Sequence, residues 1–388
     1  MSMFVGPDVH ASAFVMRIVN IALFVGIGVV LYLLLPAARR QILIWQWALT
    51  TVPLGLFVLA SNNPSSWAVM GIGYGWLALL GYYESRGRRR IGLGALYLLG
   101  AVMASGSRSD ATVLFIVATC AAVVLSAQRS RQFALLSLLP AAGLAICAFL
   151  FRASRSVDAV AGGVADQLGL GVILQRIAYN LTEVPSIWTG IFGQSWGLGW
   201  LDTSMPAVVW VSCLAALIGA GFVAARASSA RKSVVVFLGA TALALIPVTL
   251  LVLAGNDVGD NYQPRYLLPL IIVFVGAVFF TPAAQSVRLS RAQTWSIIIA
   301  LSIAHFIALY LNTRRYVTGI DALSPDLDAG REWWWNLVIT PNVVWIAGSL
   351  CFAAALAMLL SSARMTETRA SGTQAAEIAV PQRGIRGL

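Results

Sequence analysis

The stretch GNDVGDNYQPRYLLPL, residues 255 to 270, sets two aspartates, an Asn-Tyr-Gln run and one arginine directly against a long apolar segment. Carboxylates such as Asp257 and Asp260 can take the proton from an attacking hydroxyl. Pro264 marks the start of the next helix, which puts Arg265 in the first turn. There the helix dipole disfavours a cation unless an anion shares the site. A lipid phosphate is one such anion. The plainer partner is Asp260, with Arg265 merely reaching out of the bilayer along its aliphatic stem.

Three other polar segments could contribute. SGSRSDA (105–111) carries Arg108 and Asp110, although serine, glycine and aspartate are ordinary turn material and Asp110 could simply cap the next helix. ASNNPSSW (60–67) contains Asn63, whose amide could meet sugar hydroxyls or only close a turn. The third group is Asp158, Asp166, Arg176, Glu183, Gln194 and Asp202, joined by Asp321, Asp326, Asp328 and Glu332 before Trp333, Trp334 and Trp335. Carboxylates beside tryptophans suit a carbohydrate, the ring face stacking on the sugar. A tryptophan triplet at a helix entrance equally serves as an interfacial belt.

The remaining chemistry-bearing residues point elsewhere or nowhere. Cys120, Cys147, Cys213 and Cys351 lie in apolar runs without CxxC spacing and read as small packing residues. Two histidines, His10 and His305, are too few for a histidine metal centre, so no metal site is expected. Arg17 and His305 fall within or at the edge of apolar runs, with no partner that the sequence identifies.

The elements that must hold these groups follow from composition. Of 388 residues 59% are hydrophobic and 11% charged, with a mean hydropathy of +0.82, beyond what a water-soluble domain carries. The chain therefore reads as an all-α polytopic membrane protein. A net charge of +11 on such a chain is topology information. No basic, aromatic-interleaved segment exists to hold nucleic acid. At about 20 apolar residues per crossing, eleven spans are expected, near 11–35, 42–60, 65–83, 91–104, 111–127, 133–151, 205–225, 233–254, 264–281, 292–311 and 342–361. The fourth is short, so it is tilted, partly re-entrant or extended into its flanks.

The basic residues of successive connections alternate. Arg39, Arg40, the Arg86–Arg90 turn, Arg129, Arg131, Arg226, Arg231, Lys232, Arg288, Arg291 and four tail arginines give seventeen cations against three acids. The opposite connections hold eight cations against twelve acids. The positive-inside rule then places the first set and the C-terminus in the cytoplasm and the N-terminus outside. One transmembrane domain, 1–361, is expected, with outer loops 152–204, 255–263 and 312–341, followed by a disordered cytoplasmic tail, 362–388. Within 152–204 a semi-apolar piece reads as one or two interfacial helices lying on the outer leaflet.

ASNNPSSWAV (60–69) and YQPRYLLPL (262–270) resemble the two most recognisable segments of the bacterial membrane-protein family known as domain of unknown function 2142. That family in turn resembles GT-C glycosyltransferases, which pass a sugar from a polyprenyl-phosphate donor to an extracytoplasmic acceptor. The resemblance implies a GT-C-like helical bundle in the bacterial cytoplasmic membrane. It also implies an outward-facing site with a carboxylate base, here Asp257 or Asp260. The lipid-phosphate set would be Arg265, Tyr266, Arg108 and Asn63. The implied partners are membrane lipids, a polyprenyl-phosphate sugar donor and a cell-envelope glycan acceptor. No cofactor is required, although a divalent cation could share the phosphate charge. GT-C enzymes place their acid in the first outer loop, and this chain is expected to lack that loop and the helix before it, leaving only Asp8 there.

Three functional readings follow. The first is a GT-C-type glycosyltransferase, the second a transporter or lipid flippase, the third a truncated, non-catalytic membrane subunit. Spans nearly free of charge, with polar groups gathered at one face, favour the first over the second.

Overall fold

A computed structural model describes residues 8–153, 169–195, 198, 203–260, 262–281, 287–335 and 338–379, with side chains to residue 363. These residues fold into helices: α1 (Val9–Leu34), α2 (Ala37–Thr50), α3 (Leu54–Leu59), α4 (Ser65–Glu84), α5 (Gly87–Ser107), α6 (Ser109–Ser126), α7 (Arg131–Leu136), α8 (Leu138–Ala153), α9 (Leu170–Gly190), α10 (Ala207–Ala225), α11 (Ala230–Leu253), α12 (Pro264–Val278), α13 (Arg291–Val317) and α14 (Pro341–Ala379).

Eight helical stretches among the described residues, not eleven, are long and apolar enough to cross a membrane. The three other expected spans depart for physical reasons. The 42–60 run is broken into α2 and α3 at Pro53, which has no N–H for the helix ladder. The 264–281 run shortens to the 15 residues of α12, which carries Pro269 inside it. The 65–83 run is a full 20-residue helix, α4, but serines, glycines and aromatic residues dilute its apolar character. The short fourth span extends into its flanks as the 21-residue α5.

α4 is the axis of the bundle. Its residues from Ser65 to Gly81 are almost all buried, and α5 packs along it more extensively than on any other helix. Glycines make that approach close, since a Cβ at Gly71 would sit 2.7 Å from the Gly100 carbonyl oxygen of α5. Small residues at such spacing are how helices meet backbone to backbone in lipid, where no hydrophobic effect drives them together. Gly73 on the opposite face receives the Trp47 ring of α2, and Gln46 joins α2 to α4 by accepting from Trp76 Nε1 (3.1 Å) and donating to the Gly73 carbonyl (2.9 Å).

The two ends of the bundle carry different chemistry. At one end Arg39 meets Glu84 through Nε, 2.9 Å from both carboxylate oxygens, and Nη2 at 2.7 Å, while Nη1 donates to the Thr281 carbonyl. Lys232 lies buried over the C-terminus of α10, donating to the carbonyls of Ala224 (2.9 Å) and Ala227 (2.6 Å), which would otherwise have no helical partner. At the other end Asn20 of α1 donates to the Ser61 carbonyl and accepts from Trp67, fixing the 60–67 turn. Asp8 caps α1 by accepting from His10 and Ala11.

Two expectations need correction. The piece within 152–204 forms one helix, α9, which runs along α11 rather than across its end. Trp188 donates to the Leu243 carbonyl and Asn180 grips the turn after Leu253. Leu243 to Leu253 is about 15 Å at 1.5 Å per residue. The expected disordered tail also begins too early. α14 stays helical through Ala379, because extending a formed helix through alanine, glutamate and glutamine is far easier than starting one. Residues 380–388 lie outside the described residues, as do Asp158, Asp166 and Asp202.

Candidate functional site

At the end of the bundle that holds the 60–67 turn, a cavity of about 860 Å³ opens between α1, α3, α12, α13 and the Trp333–Trp335 segment. Three of its walls follow from helix breaks. Pro53 ends α2, so that Leu54, Leu56, Phe57 and Val58 of the short α3 face the cavity. Pro64 ends the preceding turn and leaves Ser61 and Asn63 at the rim. Pro264 opens α12 and sets Gln263 and Arg265 in the cavity wall.

α13 supplies a fourth wall with one face of the helix: His305, Ala308, Leu309, Asn312 and Tyr316. That spacing of three, four and seven is one stripe of an α-helix. His305 lies about 10 Å further along the helix than Asn312, and its ring packs on Phe352 of α14 at 4.1 Å. The cavity lining is accordingly amphiphilic. It combines the polar side chains of Arg17, Asn63, Gln263, Arg265, Asn312 and Tyr316 with apolar ones from α3, α13 and α14.

Arg265 makes no ion pair among the described residues, and its Nε is buried without a hydrogen-bond partner. Its guanidinium sits 5.3 Å from the Tyr266 ring. The expected alternative, a pair with Asp260, does not form: Asp260 accepts from the Asp257 backbone N–H and stands exposed. Gln263 Oε1 and Asn312 Oδ1 are buried acceptors that likewise have no donor. Arg17 brings a second cation from α1. No aspartate or glutamate lines the cavity among the described residues.

The candidates named from sequence divide cleanly. Arg265 and Asn63 line the cavity. Asn63 also closes its turn, its Oδ1 accepting from Ser65 N–H at 2.9 Å. Arg108, Tyr266, Asp257 and Asp260 do not line it. Arg108 pairs with Asp110 through Nε and Nη2, donates to Ser65 Oγ at 2.7 Å and covers the Tyr266 ring at 4.0 Å. Burial pushes the neighbouring Tyr262 hydroxyl above its ordinary range, the Asp110 charge adding to this and Arg108 opposing it. Tyr262 and Tyr266 meet edge to face at 5.6 Å. Asp257 faces Arg176 of α9 at 3.4 Å, so this part of the opening motif ties α9 to α11.

Two of the acids before the tryptophans, Asp326 and Asp328, are also structural. Asp326 and Asp328 hold Asn342 at the start of α14 and each other's turn, while Glu332 donates its backbone N–H to the Val317 carbonyl at 2.8 Å. Trp333, Trp334 and Trp335 reach the cavity and meet one another edge to face at 4.7 and 4.9 Å. Arg17 and His305, partnerless in the sequence, share this one cavity. Gln263 stood in the Asn-Tyr-Gln run without a role of its own, and Asn312 and Tyr316 were not singled out, although the 305–309–312–316 spacing on a single span signals a common face.

Among the described residues no three His, Cys, Asp or Glu side chains gather as metal ligands.

This is a polytopic helical membrane protein with an amphiphilic cavity at one end. The chain belongs to the family described as predicted membrane protein (DUF2142), which it matches over residues 1–275. No curated protein and no solved structure matches it.

Proposed function

We propose that the cavity binds a lipid-linked phosphate and that the protein is a GT-C-type glycosyltransferase using a polyprenyl-phosphate sugar at the outer face of the cytoplasmic membrane. The observation that carries the phosphate half is Arg265. A guanidinium with no carboxylate partner among the described residues, in the first turn of α12 and lining a cavity with apolar walls, needs an anion, and an amphiphile offers one together with an apolar tail. The glycosyl-transfer half rests on the resemblance of the 60–69 and 262–270 segments.

In this reaction an acceptor hydroxyl attacks the anomeric carbon, the carbon–oxygen bond to phosphate breaks, and Arg265 and Arg17 stabilise the charge left on the phosphate. The hydroxyl proton passes to a carboxylate. Asp257 and Asp260 are engaged elsewhere, and Glu332, next along the chain to the cavity residue Trp333, is the acid best placed to serve.

The test uses the full chain in lipid nanodiscs with a polyprenyl-phosphate sugar labelled in the sugar. The proposal expects saturable binding that falls at least tenfold in Arg265→Ala, together with release of polyprenyl phosphate when an acceptor glycan is added. Movement of the intact lipid between leaflets without cleavage would favour a flippase instead. Absence of binding would remove the reading altogether.

A further inference from the structure

Resting on the lipid-phosphate reading of the cavity, we infer that its polar lining selects a hydroxyl-rich headgroup carrying no ammonium. The side-chain carbonyls of Gln263 and Asn312 accept the headgroup's hydroxyl protons, and the faces of Trp333 and Trp335 stack on its ring. Arg265 Nε is a buried donor without an acceptor, and a phosphate satisfies it. Gln263 Oε1 and Asn312 Oδ1 present the opposite need: they are buried acceptors without a donor among the described residues.

A phosphodiester has no O–H to give, so a phosphate alone leaves both amide oxygens unmatched at a cost comparable to a lost hydrogen bond each. The torsion that turns a terminal amide is broad, so either oxygen can swing to the cavity face and meet a hydroxyl.

Charge narrows the headgroup further. Arg17 and Arg265 line the cavity, and no carboxylate does among the described residues. An ammonium there would face two guanidiniums with only the ligand's own phosphate as counter-charge. The aromatic surface completes the requirement. Trp333 and Trp335 are each 49% exposed and set edge to face, which offers apolar ring faces beside polar acceptors, the combination on which a sugar's C–H face and hydroxyl edge fit.

Equilibrium binding to the full chain in nanodiscs separates the possibilities. The three probes are a short-chain prenyl phosphate, the same prenyl phosphate esterified to a neutral hexose, and the same esterified to ethanolamine. The hexose ester is expected to bind about tenfold or more tighter than the other two, since each accepted hydroxyl is worth close to one hydrogen bond. Asn312→Leu and Gln263→Leu, near-isosteric changes that remove the unmatched acceptor, are expected to keep the fold and the affinity for prenyl phosphate while losing most of that preference. Arg265→Ala weakens all three ligands together. Equal affinity for the hexose ester and prenyl phosphate, or a preference that survives both leucine variants, overturns the inference and leaves the lipid-phosphate reading standing. Binding of none of the three overturns that reading and this inference with it.

Discussion

The Arg108 guanidinium lies 4.0 Å over the Tyr266 ring, and Arg265 approaches the same ring at 5.3 Å. One arginine of this pair is fully engaged and the other is not. Arg108 holds Asp110 and Ser65 as well as the ring; Arg265 has the ring and an unmatched Nε. Tyr266 therefore stands between a structural ion pair and a cation left available for a ligand.

That asymmetry predicts opposite outcomes for the two alanine variants. Arg108→Ala strands the partly buried Asp110 carboxylate and removes hydrogen bonds from a charged donor, at about 1.5–3 kcal/mol each. Its thermal unfolding in detergent should fall by several degrees. Arg265→Ala removes an unsatisfied buried donor, so unfolding should be unchanged or slightly raised while lipid-phosphate binding is lost. A stability loss in Arg265→Ala matching that of Arg108→Ala would contradict the distinction.

Arg39 and Glu84 close the opposite end. Arg39 is 3% exposed in its side chain and Glu84 33%. Removing one partner of a buried pair costs about 3–5 kcal/mol, and the residual exposure of Glu84 places Glu84→Gln near the bottom of that range. Denaturation in mixed micelles should show a loss of about 3 kcal/mol. The double variant Arg39→Met, Glu84→Gln should recover part of it, because no uncompensated charge remains.

The α4–α5 contact makes a third prediction. A Cβ at Gly71 would stand 2.7 Å from the Gly100 carbonyl oxygen and 2.9 Å from the Ala104 nitrogen. These are backbone atoms and cannot swing aside. Gly71→Ala should therefore cost about 1–3 kcal/mol as overpacking, whereas Gly26→Ala on α1, where nothing lies within 4 Å, should be neutral or slightly stabilising through helix propensity. The yield of monodisperse protein and its unfolding temperature report both.

These helices show what the sequence could and could not convey. Hydropathy reads length and apolarity, so α1, α6, α10 and α11 were legible from their residues alone. α4 was found as a span, but its role as the axis was hidden, since a glycine's use is visible only with the neighbour it admits. The break at Pro53 was hidden for a related reason: a proline in an apolar run is tolerated in some membrane helices and ends others. In the site, Arg265 was legible because a cation at a helix start is locally anomalous. Arg17 and His305 were legible as anomalies but not as neighbours, being 288 residues apart in a chain whose packing brings α1 and α13 to one cavity. Asp257 and Asp260 attracted attention by type, and their tertiary partners on α9 and in their own turn decided otherwise.

Asp326 supplies a pH-dependent prediction. The Asp328 backbone N–H and then the Asn342 side chain hold its carboxyl below the ordinary value of 3.8. A depressed folded-state value means the anion is favoured by folding. Its contribution is therefore present above the ordinary carboxylate range and lost as pH falls through the lowered value. The unfolding temperature of the parent chain should exceed that of Asp326→Asn at pH 6, and the difference should shrink as pH falls below the ordinary carboxylate value. A difference unchanged across that interval would mean that the charge on Asp326 does not hold the loop to α14.

The charge alternation along the chain predicts which end of the bundle faces the cytoplasm. Arg39, Arg90, Arg131 and Lys232 lie at helix termini of one end, and Asn63, Arg108 and Arg265 at the other. Seventeen cations against three acids in the first set of connections is the bias that retains a loop inside during insertion. Gln128, exposed after α6, and Leu323, 99% exposed beyond α13, report the two ends. In a background with Cys120, Cys147, Cys213 and Cys351 replaced by alanine, Leu323→Cys should react with a membrane-impermeant maleimide in intact cells. Gln128→Cys should react only after the membrane is opened. The reverse pattern would turn the protein over, put the arginine-lined cavity on the cytoplasmic face and remove the outer-leaflet donor from the proposed reaction.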